Sequence, residues 1–122
     1  MMEQTISQLN NWFEAQIALC RRRERALQAD DRADEAAFEK VRANVYDIFR
    51  TILAVAARTG GDAEAVRSFF MQRLQTIPSA WAAAYEKAEQ HHDPIRMQIE
   101  KIKLDTVDAI KARFACVWGE TE

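Results

Sequence analysis

Asp34–Thr59 reads DEAAFEKVRANVYDIFRTILAVAART, and this stretch decides the fold. Phe38, Val41, Val45, Ile48, Ile52 and Val55 recur at alternating gaps of three and four. That spacing places them on one face of a helix. Phe49, Leu53 and Ala56 widen the apolar stripe. A stripe this wide predicts a central helix with neighbours on more than one side.

Upstream, Ile6, Leu9, Phe13, Ile17 and Cys20 form a second stripe, continued by Leu27, so a first helix is expected from Thr5 to about Asp30. Thr5-x-x-Gln8 matches a capping box at its start. The polar joint Asp30-Asp31-Arg32-Ala33-Asp34 is too short for a crossover, which makes the first two helices antiparallel neighbours. Its aspartates suit the N-cap and the positive dipole end of the second helix.

Downstream, Gly60-Gly61 closes the second helix and Asp62 caps a third. Val66, Phe69, Phe70, Leu74 and Ile77 form its inner face, and Pro78 is expected to break it. Ser79 then caps a short fourth helix running to about His91, with Trp81, Ala84, Tyr85 and Ala88 on one face. Asp93-Pro94 starts the last helix, which carries Ile95, Ile99, Ile102, Val107, Ile110, Phe114 and Val117. Alternatively Pro94 kinks one long helix from Ser79 to Trp118. Gly119 should terminate it and leave Glu120 to Glu122 as a frayed tail. The expected fold is all-α: an up-and-down four- or five-helix bundle without β-sheet, spanning 1–122 as a single domain.

Composition agrees with that expectation. The 122 residues are 48% hydrophobic and 30% charged, the balance of a globular rather than a disordered chain. Three Gly and two Pro are too few for the many turns of an all-β fold. The net charge of −2 weighs against a nucleic-acid partner, whose phosphates call for a positive excess. MMEQTISQLNNW has no basic segment followed by an apolar core, so no signal peptide is expected. The longest apolar run, Thr51 to Ala57, stops at Arg58, far short of the roughly 18 residues a membrane span needs. The expectation is a cytoplasmic protein with no membrane contact.

Few residues suggest chemistry. Glu89-Gln90-His91-His92-Asp93 is the densest ligand-type cluster. Glu89 and His92 have the Glu-x-x-His spacing that ferritin-like metal bundles use twice. The chain has only two histidines, so the second copy is missing. Glu89, His92 and Asp93 therefore stand as metal candidates only in a minor alternative, with Glu86 as a further carboxylate. Arg21, Arg22, Arg23 and Arg25 form the basic block, spread around the helix and followed by Asp30, Asp31, Asp34 and Glu35. A solvated helix end explains this block more simply than a polyanion site does.

Cys20 and Cys116 lie in apolar contexts and are expected to be buried thiols. No C-x-x-C, G-x-S-x-G, P-loop or G-x-G-x-x-G is present. No catalytic residue and no cofactor is expected. A pocket for an apolar ligand among Phe69, Phe70, Trp81 and Tyr85 is indistinguishable, by sequence, from a filled core.

The reading that fits best is a non-catalytic interaction or scaffold module that self-associates, most simply as a homodimer. Trp12 lies off the main seam of the first helix, and Phe49 and Leu53 lie off that of the second. Uncovered apolar side chains mark interfaces. These three residues, with the arginine block, are the expected contact residues. A nucleic-acid-binding regulator acting through Arg21 to Arg25 is the first alternative, and a ferritin-like metal bundle the second.

Overall fold

The computed structural model describes residues 2–59 and 61–118. They form four helices and no strand: α1 (Met2–Ala29), α2 (Ala33–Arg58), α3 (Ala63–Gln90) and α4 (Pro94–Val117). The chain is an all-α, up-and-down bundle. The expected stop at Gly60 and the stop and tail at Gly119 to Glu122 lie outside the described residues.

Pairs α1/α2 and α3/α4 are the most extensively packed, and α2 touches each of the other three helices. The wide stripe of α2 is thus explained: it is the shared wall of the bundle. Aromatic rings tie the helices together. Phe70 of α3 meets Phe13 of α1 at 6.4 Å, Phe49 of α2 at 6.1 Å and Phe114 of α4 at 4.8 Å between ring centroids. Phe70 is fully buried, so its transfer from water contributes about 1.5–3 kcal/mol before pairing geometry is counted.

The face of α2 that enters the core is rotated from the sequence expectation. Ala43, Val45, Tyr46, Phe49, Leu53 and Ala56 are buried, whereas of the expected main seam only Val45 is. Phe38, Val41, Ile52 and Val55 are half-buried, and Ile48 is 40% exposed. The reason is the pairing with α1. α1 packs against α2 more extensively than any other helix does, and with that face covered Phe49 and Leu53 are buried while the seam lies at an edge. Phe49 and Leu53, expected as uncovered contact residues, are core residues.

Both hairpin turns use one device. Arg32 N–H donates to the Leu27 carbonyl at 2.8 Å and Asp31 N–H to Gln28 at 3.2 Å. Asp93 N–H likewise donates to Ala88 at 2.9 Å and His92 N–H to Glu89 at 3.1 Å. These paired 6→1 and 5→2 bonds are Schellman closures, which need a left-handed residue. Asp31 (φ 57°) and His92 (φ 55°) fill that position, two residue types that tolerate it better than most.

Other expected features fall differently. α1 begins at Met2, so Thr5 is inside the helix rather than at its cap. Asp34 sits in the first turn of α2, whose N-cap is Arg32. Asp62 and Asp93 do cap: their Oδ1 atoms accept from Ala65 N–H at 2.9 Å and Arg96 N–H at 3.1 Å. Pro78 does not end α3, which runs unbroken through it to Gln90. The separate helix expected from Ser79 does not exist, and Ser79 Oγ instead donates to the Thr76 carbonyl at 2.6 Å.

Candidate functional site

The alternating helix directions bring the turns at Asp30–Arg32 and His91–Asp93 to one end of the bundle. There the N-terminal halves of α2 and α4 run side by side and leave a groove of about 250 Å³, lined by Asp34, Ala37, Phe38, Val41, Ile95 and Ile99. Its lining is apolar because both helices carry their stripes past the end of the packed core. On α4 the only buried side chain before Ile102 is Glu100, and on α2 the only one before Ala43 is Ala36. With nothing larger opposite them, Phe38, Val41 and Ile99 are only half covered, and Ile95 is 67% exposed. Ile48 extends the same edge along α2 at helical spacing from Val41. Asp34 is exposed at the rim and takes part in no ion pair among the described residues.

A second groove, of about 230 Å³, lies between α3 and α4 nearer the opposite end. Met71, Leu74 and Phe114 form its apolar part, and Arg67, Gln75, Lys111 and Ala115 its rim. Arg67 pairs with Glu64 at 3.6 Å. Lys111 is exposed and pairs with no residue among those described.

The remaining sequence candidates do not converge. Arg21, Arg22, Arg23 and Arg25 are exposed around the end of α1. Trp12 is half-buried and spoken for: its ring meets Phe13 at 5.3 Å and Tyr46 at 5.5 Å, and the Arg113 guanidinium lies 5.9 Å over it. Glu89, His92 and Asp93 are exposed. His92 has left the helix in a left-handed conformation, so the shared helical face that Glu-x-x-His requires is not formed. Asp93 is occupied as the cap of α4. Among the described residues, no group of three or more His, Cys, Asp or Glu side chains is placed to hold a metal ion.

The buried nucleophile candidates are not activated. Burial pushes the Cys20 thiol above its ordinary value, and the neighbouring Glu39 carboxylate adds to the effect. Burial likewise raises the Tyr46 phenol, with Cys20 contributing. Both groups stay protonated at neutral pH, the reverse of what thiolate or phenolate chemistry needs. Cys116, expected to be buried, is exposed on the outer face of α4 between inward-facing Phe114 and Trp118. Phe70 is a core ring, Phe69 and Trp81 pack against the same core, and the Lys103 ammonium lies 5.6 Å from the Trp81 ring centroid.

Ile95, Phe38 and Val41 were legible as stripe positions but assigned to the core. The missing signal is where neighbouring helices stop supplying buried partners, which no single helix encodes.

Architecture and surface together define a four-helix protein whose distinctive feature is an uncovered apolar edge. No family model matches the chain, and neither the curated proteins nor the solved structures contain a match. Among the described residues no helix is long and apolar enough to cross a membrane.

Proposed function

We propose that this chain is a non-catalytic interaction module that self-associates, with a homodimer as its smallest assembly. The observation that carries this reading is the α2/α4 edge, where Ile95 is 67% exposed beside half-covered Phe38, Val41 and Ile99, and Ile48, two turns along α2 from Val41, is 40% exposed. Single exposed apolar residues are ordinary, but a contiguous group around a concave surface marks a contact site. The occupant we assign is a second copy of the chain. The same molecule carries, on another face, an apolar groove whose rim bears the opposite charge. The protonated state of Cys20 and Tyr46 and the scattered arginines favour a role through surface contact over one through bond chemistry.

Sedimentation velocity between micromolar and near-millimolar protein tests the proposal. The weight-average mass should rise with concentration, and Ile95→Glu should weaken association at least tenfold. Because Ile95 is exposed, that substitution should leave the melting temperature within a degree or two of wild type. A single monomeric species for the wild type at every concentration would sink the reading.

A further inference from the structure

We infer that self-association, taken from the reading above, runs head to tail: the α2/α4 edge of one copy seats in the α3/α4 groove of the next. Charge distinguishes this pairing from a two-fold one. A two-fold contact centred on the α2/α4 edge would join two linings that each carry Asp34 and no cation, so neither carboxylate gains a partner from the other lining. The α3/α4 groove offers Lys111 instead, an exposed ammonium at the rim of an apolar depression formed by Met71, Leu74 and Phe114. Asp34 and Lys111 are both exposed, and neither has an ion-pair partner among the described residues.

Shape agrees with charge. Ile95 is the most exposed large apolar side chain among the described residues, and it stands at the rim of its own groove. The α3/α4 groove, at about 230 Å³, has room for such a side chain. The two surfaces do not overlap. The acidic one uses the first turns of α4 and the basic one its last turns, roughly 24 Å apart at 1.5 Å per residue. One copy therefore engages a neighbour through each surface at once. A contact between unlike patches leaves one of each unsatisfied in a dimer, so the assembly continues into rings or open chains.

Charge reversal and mixing test this. Asp34→Lys alone and Lys111→Glu alone should each weaken association at least tenfold, since each places like charges across the contact. An equimolar mixture of the two variants should regain association, because every contact between unlike chains again pairs opposite charges. Circular dichroism and melting curves establish that both exposed-site variants fold, and Asp34→Asn gives a milder version of the first. Wild-type mass should climb beyond twice the monomer without a plateau there. Association that is insensitive to Lys111→Glu, or a plateau at the dimer, overturns the head-to-tail contact and leaves self-association standing. A strictly monomeric wild type removes both.

Discussion

Glu100 is the residue whose position is least expected from its chemistry. Its side chain is 0% exposed, yet it is a carboxylate. Two cations of the same helix bracket it: Arg96 Nε at 2.9 Å and Lys103 Nζ at 3.2 Å from Oε2. Lys103 is partly covered and its ammonium lies over the Trp81 ring. Burying an ion is costly, and attraction to its partners does little more than offset that cost. Replacing the carboxylate with a side chain of similar volume removes both terms at once. Glu100→Leu should therefore leave stability within about 1 kcal/mol of wild type, or raise it. Removing the partners instead strands the charge. Arg96→Met combined with Lys103→Met should cost about 3–5 kcal/mol in urea unfolding. A large loss in Glu100→Leu would show that the triad is a net source of stability. Sequence reading passed over Glu100 because a charged residue at a stripe position reads as solvated. The i,i+3 and i,i+4 cations were visible, but the burial of the carboxylate was not. Local readings divide: the Asp62 and Asp93 caps form, whereas Thr5 and Ser79, equally local cap expectations, lie inside longer helices.

At the scale of one element, α3 shows packing overriding local preference. Pro78 has no N–H for the Leu74 carbonyl and crowds the preceding turn, a penalty of about 3 kcal/mol in a helix interior. The helix continues because apolar positions continue on both sides of it. Val66, Phe70, Leu74, Ile77, Trp81 and Ala88 keep helical spacing, and a break would strip the second half from α4. Pro78→Ala should restore the missing hydrogen bond. Against this stand a looser unfolded chain and some lost contact, since Pro78 is itself buried. The net expectation is a gain of about 1–2 kcal/mol, seen as a melting temperature higher by roughly 4–8 °C. An unchanged or lower value would mean that the bend or bulk of Pro78 is needed for the α3/α4 fit. The rotation of α2 has the same origin. Its stripe was legible, but which edge of a wide stripe faces inward is set by the partner helices. Phe49 and Leu53 moved from expected surface to core for that reason, and the Phe38–Ile48 edge moved the other way.

Across the whole molecule the core is lopsided. Buried apolar side chains crowd Leu9–Cys20, Ala43–Ala56, Val66–Leu74 and Ile102–Trp118. Beyond these limits, toward the turns at Asp30–Arg32 and His91–Asp93, they thin to Ala36, Pro78 and Ala88. Local opening costs least where few apolar contacts must be given up. Native-state hydrogen exchange should therefore find the amides of residues 36–42 and 95–99 exchanging at least tenfold faster than those of residues 49–56 and 107–114. The slowest amides should approach the global unfolding free energy, and the fast ones should open well below it. Uniform protection along α2 would contradict a thin end. The measurement also joins this asymmetry to self-association. The least protected end carries the exposed Ile95 and the half-covered Phe38, so contact with a second copy supplies the burial that the monomer lacks there. Protection of residues 36–42 and 95–99 should then rise with protein concentration, while that of residues 49–56 stays level. A rise confined to some other surface would place the contact elsewhere on the molecule.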